Sequence, residues 1–194
     1  MPQCGVLIAQ EYVLHLALIG LPGSGKSTIG RHLARQWKLP FVDSDHVIEQ
    51  RIGGTIADYF SAHGEEAFRD IESEVIASLL RSDTMCVLAT GGGAILRPAN
   101  REQLQRHSTV FYLQTTPEDI ARRLRNDGHR PLLKGDDPLV RIKALFEVRA
   151  PLYLQTAHYV VESCRQNTTQ VSRKICMQAE LAGLLPMPTG CQAL

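Results

Sequence analysis

The sequence predicts an α/β fold in which helices layer on a mainly parallel sheet. Three observations carry that expectation. Short apolar runs alternate along the chain with segments of helical periodicity, the order a parallel sheet requires. The first apolar run feeds a glycine-rich loop that opens directly into a helix. Three runs end in glycine or carboxylate motifs, Gly20–Ser27, Asp43–Asp45 and Gly91–Gly93. In a parallel sheet those ends share the edge at which ligands bind.

The elements follow in order. Val13 to Ile19 reads as the first strand and Thr28 to Trp37 as the first helix. Leu39 to Val42 reads as a second strand, ending in Asp43-Ser44-Asp45. Val47 to Arg51 is a short helix stopped by Gly53-Gly54, and Ile56 to Ala62 is another, stopped near Gly64. From Glu65 to Arg81, Phe68, Ile71, Val75, Ile76 and Leu79 make a helical stripe. Met85 to Ala89 is a compact strand before Thr90-Gly91-Gly92-Gly93. Pro98 suits the first turn of a helix through Gln105. Thr109 to Leu113 reads as a strand, Pro117 begins a helix through Leu124, and residues 126–137 are a polar, glycine-containing loop. Leu139 to Leu154 is helical, Tyr159 to Val161 is the last strand, and the final helix begins near Thr169 with Thr168 or Thr169 as its N-cap.

Composition narrows the class. A chain of 194 residues with 44% hydrophobic and 21% charged residues is expected to form one domain with an ample core. Residues 1–10 read as a short extension, and the tail 183–194, with Pro186, Pro188 and Gly190, is expected to fray. A net charge of +1 offers no electrostatic case for nucleic acid or a membrane surface. No apolar run reaches the length of a membrane span, and Val6 to Ala9 lacks the basic flank of a signal peptide. Cys4, Cys86, Cys164, Cys176 and Cys191 are scattered without a C-x-x-C pair. They are expected to be reduced thiols in a cytoplasmic protein.

Gly20-Leu21-Pro22-Gly23-Ser24-Gly25-Lys26-Ser27 fits the pattern G-x-x-x-x-G-K-[ST] between a strand and a helix. Glycines there let successive backbone N–H groups face phosphate oxygens, and the helix N-terminus adds positive potential. Lys26 is placed for the β- and γ-phosphates and the Ser27 hydroxyl for Mg²⁺. Transfer of a phosphoryl group then needs a metal, charge stabilisation and an oriented acceptor hydroxyl. Asp43 and Asp45 end one strand, where alternation would point them to opposite sides. One suits a metal through water and the other suits proton acceptance, although either one also suits helix capping. Gly91-Gly92-Gly93 costs entropy unless the backbone bends tightly or approaches a ligand. Arg69 beside an apolar stripe and Arg149 in Val-Arg-Ala-Pro-Leu-Tyr suit a small anion, because each guanidinium can hold a carboxylate with two hydrogen bonds. Arg122, Arg123, Arg125 and Arg130 flank the polar loop, which suits a lid at about 122–137. Spacing alone does not choose among these arginines.

Together these motifs resemble the shikimate kinase family. The resemblance runs from Leu18 to about Arg165 and rests on the glycine-rich loop, Asp-Ser-Asp, Gly-Glu-Glu-Ala-Phe-Arg, Leu-Ala-Thr-Gly-Gly-Gly, Arg-Pro-Leu-Leu and Arg-Ala-Pro-Leu-Tyr. It implies a three-layer P-loop kinase fold with a five-stranded parallel sheet and a lid. It also implies phosphorylation of the 3-hydroxyl of shikimate by ATP with Mg²⁺, on the route to the aromatic amino acids, by a chain expected to be monomeric. Under it, Gly23, Ser24, Gly25, Lys26, Ser27, Thr28, Arg123, Arg130 and Arg165 serve ATP. Ser27 and, through water, Asp43 serve the metal. Asp45, Arg69, Gly91, Gly92, Gly93 and Arg149 serve shikimate, and Lys26, Asp45 and Arg130 serve the transfer itself. Thr168 stands where the family's adenine-contacting loop often carries proline. Gluconate, which also has a carboxylate and hydroxyls, is the alternative acceptor.

Overall fold

A computed structural model of the protein describes residues 14–124 and 138–184. Arg130, most of the expected lid, the N-terminal extension and all but the start of the tail lie outside the described residues. Five strands form one sheet: β1 His15–Ile19, β2 Phe41–Asp43, β3 Val87–Ala89, β4 Ser108–Gln114 and β5 Tyr159–Glu162. Their order is β2-β3-β1-β4-β5, and every pairing is parallel. Among the described residues seven helices connect or follow them: α1 Lys26–Trp37, α2 Ser44–Ile52, α3 Ile56–Leu80, α4 Pro98–His107, α5 Pro117–Leu124, α6 Pro138–Thr156 and α7 Thr168–Leu181.

Alternation along the strands builds the layers. Leu16 and Leu18 of β1 pack with Ile29 and Leu33 of α1 and Ile175 of α7. Ala17 and Ile19, on the other face, pack with Ile76 of α3, Leu104 of α4 and Ile120 of α5. Because both faces are covered, β1 reads as one unbroken apolar run and is buried throughout. A smaller cluster of Ile48, Phe68 and Val75 joins α2 to α3 beside the sheet.

Register sets up the site. Ala89 of β3 stands level with Leu18 of β1 on one side and Asp43 of β2 on the other. The three motif-bearing strands are therefore neighbours, and their motifs leave the sheet side by side.

Three local readings change. Ile56–Leu80 is one helical run, with the expected stop at Gly64 surviving as a break at φ 80° and ψ 176°. β2 ends at Asp43 and α2 begins at Ser44, so Asp45 lies in a helical first turn and strand alternation does not govern it. The cap of α7 is Asn167, whose side chain accepts from Gln170 N while Gln170 reaches back to the Asn167 N–H. That reciprocal pair outcompetes the threonines proposed from sequence because it satisfies two backbone donors at once. Among the described residues no helix is long and apolar enough to cross a membrane.

Candidate active site

The glycine-rich loop turns between β1 and α1 with Gly23 at φ 85° and Gly25 at φ 98°, conformations that a Cβ would strain. Gly25 caps α1, so the first N–H groups of that helix open onto the loop. The Lys26 ammonium is buried and donates to Gly20 O at 2.8 Å and Leu21 O at 3.0 Å. Ser24 is fully buried, and its hydroxyl finds no partner among the described residues.

Ser27 and Asp43 meet across the start of α1 and the end of β2. The Ser27 hydroxyl donates to Asp43 Oδ2 at 2.7 Å, while Asp43 Oδ1 accepts from Asp45 N at 3.2 Å. Asp43 is thus both helix cap and partner of the loop serine. In the first turn of α2, burial pushes the Asp45 carboxyl up to about 6, helped by Asp43, Glu72 and Glu49 and opposed by Lys26.

The triple glycine lies against everything else. A Cβ on Gly91 would stand 2.5 Å from Asp45 Oδ1, one on Gly92 would stand 2.6 Å from Pro22 Cδ, and one on Gly93 would stand 2.3 Å from Arg69 Nη1. The Gly91 N–H donates to Ser44 Oγ at 2.9 Å. Only residues without a side chain let the phosphate loop, Asp45 and Arg69 approach one turn together. Arg149 reaches the same turn from α6 and donates to Gly92 O at 3.1 Å.

Glu72 was not legible as a site residue. It is 1% exposed and accepts from Arg69 Nη1 at 2.7 Å, while Glu65 takes Arg69 Nη2 at 2.9 Å. Burial raises the Glu72 carboxyl, and Arg69 and Arg149 oppose that rise. Glu72 interrupts the apolar stripe of Phe68, Val75, Ile76 and Leu79, three residues after Arg69. A carboxylate at that position, i+3 from an arginine, is the signal that could have found it. Two charges buried together hold each other in one geometry, because neither has water to fall back on.

On the far side of the loop a cavity of about 290 Å³ is lined by Ser24, Gly25, Thr28 and Ile29 on one wall and by Arg123, Ser163, Gln166, Asn167, Thr168 and Val171 on the other. Arg123 spans the two walls, donating to Ser24 O at 3.0 Å and Ser163 O at 2.8 Å. Arg165 is exposed and outside this lining; its backbone N–H donates to Asp119 Oδ2 at 2.9 Å. Arg122 pairs with Asp119 and is not part of this lining. The fold therefore gathers Lys26, Ser27, Asp43, Asp45, Arg69, Gly91–Gly93 and Arg149 at one sheet edge, with Arg123 and Thr28 beside it.

The family model described as Shikimate kinase matches residues 22–180. The chain belongs to the shikimate kinase family. It is 53% identical over 175 residues to a shikimate kinase of Paracidovorax citrulli, covering 89% of this chain and 96% of that protein. A shikimate kinase of Burkholderia thailandensis is 44% identical over 180 residues, covering 93% of this chain and 97% of the relative. Among solved structures, shikimate kinase from Acinetobacter baumannii in complex with shikimate superposes with a TM-score of 0.81 at 39% identity, covering 90% of this chain and 96% of that one. The five-stranded parallel sheet expected from sequence is the family's fold.

Proposed function

We propose that the chain transfers the γ-phosphoryl group of ATP to the 3-hydroxyl of shikimate, with the residues gathered at this edge as its machinery. Membership of the family supplies the reaction. The single observation that supports the residue roles is the Gly91–Gly93 turn, which touches Asp45, the phosphate loop, Arg69 and Arg149 at once.

The nucleotide enters over α1. Its base occupies the cavity against Arg123 and Thr28, with Arg165 at the rim, and its phosphates lie along Gly23, Ser24 and Gly25. The unpartnered Ser24 hydroxyl and the N-terminal N–H groups of α1 suit phosphate oxygens. Lys26 exchanges the carbonyls of Gly20 and Leu21 for phosphate oxygens, a change of acceptor within its present reach.

The donor set at Ser27 and Asp43, one hydroxyl and one carboxylate 2.7 Å apart, fits Mg²⁺, a hard cation that keeps most ligands as water and phosphate. Ser27 would ligate directly and Asp43 through water, and the ion would neutralise charge on the phosphates.

Shikimate lies with its carboxylate between Arg69 and Arg149 and its hydroxyls toward Asp45. Asp45 accepts the 3-hydroxyl proton as the new O–P bond forms and the bond to the β-phosphate oxygen breaks. A carboxyl lifted toward neutrality by burial is a stronger base than an exposed one. Arg130, outside the described residues, is assigned to the transferring phosphoryl group on its motif alone. The scattered cysteines of the sequence, with no C-x-x-C pair, suit a reducing, cytoplasmic setting.

The test is ATP consumption against shikimate, gluconate and a nucleotide panel, with phosphorus NMR of the product. Turnover confined to shikimate, phosphorylated at the 3-oxygen, is expected. Absence of turnover with shikimate would sink the reading.

A further inference from the structure

Tyr153 is fully buried on α6, one turn beyond Arg149. Residues four apart on a helix share a face, and these two converge on one atom. Tyr153 Oη donates to Gly92 O at 2.6 Å, and Arg149 Nη1 donates to the same oxygen at 3.1 Å. The neighbouring carbonyls are engaged differently: Gly91 O accepts from Ala94 N and Gly93 O accepts from Leu96 N, both within the turn. Gly92 O is the one carbonyl of the three that α6 holds. The Tyr153 ring is fixed by stacking on Tyr112, with centroids 5.0 Å apart and planes at 19°.

The consequence concerns Arg149. A guanidinium that turns to a substrate carboxylate gives up some of its bond to Gly92 O. A carbonyl left without a donor in a partly buried turn is costly, which would oppose that movement. A second donor on the same oxygen removes the opposition. Resting on the function proposed above, we propose that Tyr153 is a positioning residue: its hydroxyl holds the Gly92 carbonyl so that Arg149 is free to engage the shikimate carboxylate.

Tyr112 supplies the control. Its hydroxyl is buried and unpartnered among the described residues, so Tyr112→Phe removes one hydroxyl from the same stacked pair without touching Gly92. Steady-state kinetics and melting are measured for the wild type, Tyr153→Phe and Tyr112→Phe. Tyr153→Phe is expected to raise KM for shikimate about tenfold, with KM for ATP and kcat within twofold. Tyr112→Phe is expected to leave all three unchanged. An unchanged shikimate KM in Tyr153→Phe would overturn the assignment, as would an equal rise in both KM values or the same effect from Tyr112→Phe. A Tyr153→Phe chain too unstable to assay would overturn it as well, by making the hydroxyl a folding element. Wild-type protein inactive on shikimate would instead overturn the function on which the assignment rests.

Discussion

The two edges of one sheet treat polar groups in opposite ways. At the C-terminal edge Lys26, Asp43, Asp45, Arg69, Glu72 and Arg149 crowd around glycines, and three carboxylates share a small partly buried space. At the N-terminal edge the buried polar groups are uncharged and locally engaged. His15 Nδ1 lies 3.4 Å from Cys86 Sγ and Ser108 Oγ donates to Leu104 O at 2.6 Å, while the more exposed His158 accepts from Val110 N at 3.0 Å through its Nδ1. Both edges are made of the same strands. The difference teaches that the charge at one end is not a requirement of the fold, since the other end closes without it. Charge that the fold does not need, and that burial disfavours, is kept for chemistry.

The largest expected break in that contrast is Asp45→Asn. Removing the proton acceptor should lower shikimate turnover by about three orders of magnitude. The same change removes a desolvated carboxylate held near Asp43, Glu72 and Glu49, so the free protein should gain on the order of 1–2 kcal/mol. Differential scanning calorimetry without nucleotide or metal reads the second effect. A lowered melting temperature would show that the carboxylate is not a burden on the fold.

Arg149→Ala comes next. Shikimate binding should weaken by about 2–5 kcal/mol, because the carboxylate would be left half-paired in a desolvated site. Stability should move little, since Gly92 O keeps its bond from Tyr153. Calorimetric titration that finds unchanged shikimate affinity would remove Arg149 from the site. Gly93→Ala should act more mildly and through Arg69. The new methyl group would sit 2.3 Å from Arg69 Nη1, which Glu72 and Glu65 hold in place. A 10- to 100-fold rise in KM for shikimate with an unchanged KM for ATP is expected. Equal rises in both would mean that the turn serves the phosphate loop instead.

Much of the charged edge was legible because its signals are local. The glycine-rich loop, Asp43-x-Asp45 and the triple glycine each end an apolar run, and a parallel sheet brings such ends together. What escaped is longer in range or shorter in period. Glu72 looked like one more helix surface glutamate until Phe68 and Val75 were seen to share its face. The Tyr153 ring packs in the core, and the destination of its hydroxyl depends on a turn 61 residues away. Asp45 was assigned to a strand because the end of β2 and the start of α2 are contiguous, and only the cap geometry of Asp43 separates them. Asn167 was missed although Asn-x-x-Gln is a readable capping box.

The smallest expected effect belongs to the quiet edge. His15 is 1% exposed. Burial lowers its pKa from the ordinary value and His107 pushes the same way, while hydrogen bonds with the backbone of Leu80 and Ser82 oppose them. The unfolded chain therefore takes up a proton near pH 6.5, before the folded chain does. Stability is fully present above that pH, falls as the pH drops toward the lowered folded value, and levels off below it. Urea unfolding at pH 7.5 and 5.5 should show lower stability at the lower pH, part of it from this group. His15→Leu should remove that share of the slope and leave the portion due to other groups, including His158, whose pKa burial also lowers. If His15→Leu keeps the full slope, the uncharged edge owes its pH dependence to other groups. The contrast would then be sharper, because a buried imidazole would prove indifferent to acid where buried carboxylates at the opposite edge are not.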